Sequence, residues 1–231
     1  MNLSGCRIQA ITAAIGSNDS VILDRASTHL SDILSDVSAR LKAQAWLQTL
    51  VGTGYPLRSA RQPPALQDDG SLLVHHLEAE IHICAIHSLV QALNQEDYLD
   101  LAGESSHWSH PAITALSDDL RACGFTRSDE CPASLFTWLS ALSYGTPLFG
   151  DGFQTEWSFY SFVANEELQS VIADLAVAMA YERPLPDYIP DDVRKTMNTR
   201  LSDNGQEFAR ELSGWFERIQ QAGQDAYVIW W

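Results

Sequence analysis

Wound as a helix at about 100° per residue, residues 72–93, LLVHHLEAEIHICAIHSLVQAL, are apolar almost all the way round. Leu73, Leu77 and Cys84 fall on one side with Val74 and Ile81 beside them, and Leu72, Ile83, Ile86 and Val90 lie opposite. Such a helix is buried rather than laid on a surface. Two polar stripes interrupt it. His75, Glu78 and His82 share one face, and His76, Glu80 and His87 share another. The pairs Glu78–His82 and His76–Glu80 stand at i,i+4, close enough to touch. The stretch is too short and too polar to span a membrane.

The remaining periodicities are those of further helices with a few short strands. Residues 5–11 read as a strand or as the start of a helix running to Ile15. After a turn at Gly16, Asn18 or Asp19 caps a helix. Its apolar positions are Leu23, Ala26, Leu30, Ile33, Val37 and Leu41, continuing through Trp46, Leu47 and Leu50 to Gly52 and Gly54. So long a helix predicts a break, placed near Ser27, and packing against 72–93 rather than a coiled-coil seam. Residues 52–70 are a loop, and Asn94 to Ser109 a connection. Pro111 opens a helix over 111–122 that Gly124 ends, and a second proline-led helix covers 132–143. Residues 157–163 favour a strand. Asn165 caps the next helix, which turns Leu168, Val171, Ile172, Leu175 and Met179 inward. After a proline-marked connection comes a short helix, 191–201. The clearest element follows: Asp203 and Gln206 resemble a capping box, and Phe208, Leu212, Trp215 and Ile219 mark one face. Residues 225–231, DAYVIWW, predict a strand with apolar side chains on both faces. Two tryptophans there could form a contact surface, but core is the better reading.

A chain of 231 residues has room for one large core or two small ones, and the pattern gives a single, predominantly helical α+β domain. Charge then narrows the function. With 14 Lys and Arg against 30 Asp and Glu, the net charge is −16. That argues against nucleic acid or an anionic membrane as partner, and it permits a basic protein partner as well as plain solubility. Cys6, Cys84, Cys123 and Cys131 form no CxxC, and the N-terminal residues lack a secretory pattern. A reducing cytoplasm is the expected compartment. Cys123 and Cys131 could pair across a short loop, though nothing demands it.

The candidate chemistry sits on the two stripes. A carboxylate beside an imidazole can move protons or hold a metal, which makes His75, Glu78, His82, His76, Glu80 and His87 the catalytic candidates. Geometry weakens the metal version. His75 and His82 are two turns apart, roughly 10 Å, and no HExxH occurs. Hydrogen bonding among buried side chains is the simpler account. Arg58 and Arg61 could clamp an anion beside a small-ligand pocket walled by Trp157, Phe159 and Tyr160. His107 and His110 with Cys123 and Cys131 suggest zinc, but a helix between them holds the pairs roughly 18 Å apart. No metal or cofactor is expected, and neither a GxSxG nor a P-loop is present.

Three segments carry a resemblance: AITAAIGSNDSVIL, SFYSFVANEELQSVIADL and GWFERIQQAGQDAYVIWW. Together they resemble the YfbM-like families of uncharacterised bacterial proteins, over about a third of the chain. The second is similar to the strand-then-helix "YLTPEEV" unit of those families. The resemblance implies helices packed on a small antiparallel sheet of about three strands, formed by the terminal strand and 157–163. It implies no catalytic set. The expected function is a non-enzymatic binding or interaction protein, such as an immunity-type partner of a basic toxin. The alternatives are a metal-dependent or acid–base hydrolase built on the stripes, and a small-ligand pocket protein.

Overall fold

A computed structural model describes residues 1–53, 72–94, 98–108, 110–125 and 159–230, together with Leu135 and Leu139. Alternation along the last strand sets the architecture. In β3 (Asp225–Trp230), Ala226 and Val228 point to one side and Tyr227 and Ile229 to the other, all at most 1 % exposed. A strand buried on both faces needs a layer on each side.

β3 is the middle strand of an antiparallel sheet, between β1 (Asn2–Cys6) and β2 (Phe159–Val163). Leu3 lies opposite Val228 and Cys6 opposite Asp225, while Phe162 lies opposite Tyr227 and Val163 opposite Ala226. The outer edge of β1 is covered by residues 99–101: Gly5 N donates to Leu99 O at 2.7 Å and Leu101 N to Leu3 O at 3.0 Å. Covering it removes a free row of backbone donors and acceptors.

One layer of helices comprises α1 (Ile8–Ala14), α2 (Ser20–Ile33), α3 (Val37–Thr53) and α4 (Leu72–Leu93). Here α4 packs against the other three, over a core that takes in Cys6, Phe162, Tyr227 and Ile229 of the sheet. The short α5 (Ala102–Ser105) borders β1. The other layer holds α6 (His110–Ala122), α7 (Asn165–Ala180) and α9 (Asp203–Gln221), packed over Leu3, Val163, Ala226 and Val228. The four-residue α8 (Asp191–Arg194) follows α7. The protein is thus a mainly helical α+β fold with a three-stranded antiparallel sheet. Among the described residues its packing forms two cores, and β3 is the wall they share.

Several boundaries differ from the sequence expectation, each for a local reason. The chain breaks at Leu34–Asp36 and not at Ser27, because Asp36 Oδ2 accepts Ala39 N at 2.7 Å and starts a second helix. Of the two caps expected for α2 it is Asp19 that serves, taking Val21 N and Ile22 N, while Asn18 sits at φ +56°. Ser202 rather than Asp203 caps α9, its hydroxyl accepting Gly205 N at 3.1 Å. Asn165 lies inside α7 and does not cap it. The helix expected over 191–201 stops at Arg194. The helix expected over 132–143 falls outside the described residues except at Leu135 and Leu139, both buried.

Gly5 is required by a close approach. A Cβ there would collide with the side chain of Gln224, which is buried and accepts Leu99 N at 3.1 Å. Gly5→Ala therefore drives the amide from its place and strands the Leu99 donor. A loss of about 1–3 kcal/mol in urea unfolding is expected. Combining it with Gln224→Ala should cost less than the two changes summed; strict additivity would show that the two side chains do not compete for one space.

Candidate functional site

From Ile81 onward α4 is mostly buried, and it carries two imidazoles of different surroundings, His82 buried and His87 half-buried. Five residues apart, they point about 140° away from each other. His82, 3 % exposed, meets the indole of Trp46 on α3 edge-on, ring centres 5.2 Å apart at 75°. Burial holds its pKa down to about 4, so the ring is neutral at pH 7. His87 turns to the sheet. Its Nδ1 lies 3.2 Å from the Tyr227 hydroxyl, and the two rings stack at 5.8 Å. Its pKa also falls to about 4, first from burial and then from the nearby charge of His29, with Asp100 opposing. Tyr227 is itself 1 % exposed and rests on Phe162.

The one described imidazole of each polar stripe thus goes its own way, His82 towards α3 and His87 towards β3. His75, His76, Glu78 and Glu80 belong to the α4 backbone, but their side chains lie outside the described residues, as do Arg58, Arg61 and Trp157 altogether. Tyr160 pairs with Ile229 in the sheet register, its side chain likewise outside. Among the described residues no three His, Cys, Asp or Glu side chains converge as a metal site would require. Cys6, Cys84 and Cys123 are buried and outside any disulfide. Burial pushes the Cys6 thiol up, aided by Asp225, and burial also raises Cys123. Neither presents a thiolate for nucleophilic work. Cys131, its suggested partner, lies outside the described residues.

Two constellations were not singled out by the sequence pattern. The first joins the segment after α5 to α9. Trp108 Nε1 donates to Glu211 Oε2 at 2.6 Å, and His107 Nε2 lies 3.2 Å from the same oxygen. Trp108 packs on Phe208 at 4.7 Å, and His107 stands edge-on to Trp215 at 6.4 Å. Beside them Arg218 donates to Glu104 at 2.6 Å, which holds that exposed carboxyl below its ordinary range. The polar groups here partner one another, so the constellation reads as a clamp on α9. It also takes His107 away from any ligand set shared with Cys123.

The second is the connection from α7 to α9. Its base is clasped by Arg183 N donating to Thr199 O at 2.7 Å. Inside, the Arg194 guanidinium gives Nε to Ile189 O at 2.8 Å and a terminal nitrogen to Pro186 O at 2.7 Å, with Asp187 at 3.6 Å. At its tip Tyr188 is 85 % exposed, the most exposed large hydrophobic side chain among the described residues. Asp187, Asp191, Asp192 and Lys195 of the same connection are exposed as well. The prolines of this segment were visible in the sequence. Which of Tyr188 and Ile189 would turn outward was not.

No helix among the described residues is long and apolar enough to cross a membrane. Comparison with protein-family models, with curated proteins and with solved structures finds no match to this chain.

Proposed function

We propose that this chain is a non-enzymatic binding protein of a bacterial cytoplasm whose partner is a basic protein, as an immunity protein is to a basic toxin. The observation that carries the reading is the excess of 30 acidic over 14 basic side chains. Such a field draws a cationic partner in and repels polyanions. The two described imidazoles of α4 support it as well: both are neutral at pH 7 and packed against aromatic rings inside the fold, where they stiffen a core rather than meet a substrate. We also propose a distant relation to the YfbM-like families. Its support is the order of elements: the strand at Phe159–Val163 leads into α7, and α9 leads into the strand at Asp225–Trp230.

Affinity capture with the intact protein from an extract of its source cells tests the function. The expected result is a protein of net positive charge whose binding weakens steeply as salt rises from about 0.05 to 0.5 M, since screening shortens the reach of the field. Recovery of no basic partner, or of one indifferent to salt, overturns the reading.

A further inference from the structure

We infer that α1 to α4 form a unit that acid unlatches from the sheet while α6, α7 and α9 stay packed on its other face. The inference does not depend on the partner proposed above.

The path of the chain permits such an opening. The four helices follow one another between β1 and the segment that covers its edge, and they pack chiefly on one another. The chain leaves the sheet after Cys6 and regains it at Leu99, whose carbonyl accepts Gly5 N. Neighbouring side chains hold the two ends: Asp225 accepts Ile8 N at 2.7 Å, and Gln224 accepts Leu99 N at 3.1 Å. A contiguous stretch whose ends lie together can open without carrying the remaining chain with it. The three strands keep their ladders, and Leu3, Val163, Ala226 and Val228 keep the core on the far face.

The placement of the imidazoles makes acid the trigger. His82 on α4 meets α3 and so fastens the unit internally, while His87 meets Tyr227 and fastens it to β3. Burial disfavours a proton on either ring. Around His87 stand the His29 imidazole of α2, the Tyr227 hydroxyl of β3 and the Asp100 carboxylate, which bridges to Ser4 of β1. His29 opposes the charging of His87, and Asp100 favours it without outweighing burial. When the unit opens, both rings enter water and take up protons, so each step down in pH favours the open form. On the other side of the sheet the described imidazole is His107, exposed and 3.2 Å from Glu211. A proton there adds attraction instead of a buried charge. Opening bares Cys6, Phe162, Tyr227 and Ile229 of the sheet, an apolar wall that the unit covers at neutral pH.

Hydrogen exchange on the full-length protein tests this, read amide by amide by NMR at pH 7 and pH 5 and corrected for the intrinsic rate at each pH. Amides of α2 and α4 should report an opening that grows by about 20-fold per imidazole, and so by about 400-fold for the two. Those of α7 and α9 should stay better protected at both pH values, because they exchange only when the sheet is lost as well. His82→Gln combined with His87→Gln should flatten the rise in α2 and α4; if that variant does not fold, the wild-type comparison decides alone. One level of protection shared by both layers at pH 5 would mean that the molecule opens as a whole. An opening of α2 and α4 that ignores pH would mean that acid is not the trigger. Either result overturns the inference.

Discussion

Lowering the pH from 7 towards 4 is expected to strip this protein of stability well before its carboxylates titrate. His82 and His87 have native pKa values of about 4 against an ordinary 6.5. Above pH 6.5 both are neutral folded or unfolded, and their burial costs no proton. As the pH falls below 6.5, the unfolded chain takes up two protons that the folded chain refuses, so stability drops until the native rings titrate near pH 4 and then levels. Each unit of difference corresponds to about 1.4 kcal/mol. Each imidazole therefore removes roughly 3 kcal/mol at the acid end, a large share of the 5–15 kcal/mol typical of folded proteins. Urea unfolding at intervals between pH 7 and pH 5 isolates this slope from that of the acids. His82→Gln and His87→Gln should each halve it. A double variant with the wild-type slope would place the proton uptake elsewhere.

Asp225→Ala carries the second large effect. The Asp225 carboxylate, at the start of β3, accepts Ile8 N at 2.7 Å through one oxygen and Asn165 N at 2.8 Å through the other. Those amides open α1 and α7, so one side chain terminates a helix in each layer. Neither helix has a side-chain cap of its own. Losing two caps at about 1 kcal/mol apiece, and leaving two part-buried donors without acceptors, predicts a loss of about 2–4 kcal/mol. Asp225→Asn keeps one carbonyl oxygen and should lose about half as much. Hydrogen exchange should quicken at Ile8 and Asn165 before other positions. An alanine variant as stable as wild type would show that water takes over both amides.

The double role of Asp225 also shows what the sequence could and could not convey. Helices announce themselves through spacing: the four-three-four step from Phe208 to Ile219 placed α9 to within a residue at its start. The two-sided apolar character of DAYVIWW equally foretold a strand buried on both faces. What escaped was everything decided by distant partners. Asn165 looks like a cap because it precedes Glu166 and Glu167, yet the acceptor for its amide is 60 residues away. The break between α2 and α3 lies beyond Ser27 because the apolar rhythm runs on through Ile33 and Val37, and it is Asp36, a second cap, that sets it. On α4 the periodicity sets His82 and His87 on different faces but is blind to what each meets. Trp46 and Tyr227, the rings they meet, come from other elements, and it is burial that keeps His82 and His87 neutral at pH 7. The exposure of Tyr188 had no periodic signal at all, since it depends on Arg194 pinning the carbonyls of Pro186 and Ile189.

The position of β3 between β1 and β2 has a consequence for how the chain comes to be. At the ribosome's pace of about 5–20 residues per second, Leu3 waits on the order of tens of seconds for Val228, its neighbour in the sheet. Until then the first strand has no central partner, and the two helical layers have no common wall. The sheet cannot close until Val228 has been made, a long interval in which a chaperone has unpaired backbone to protect.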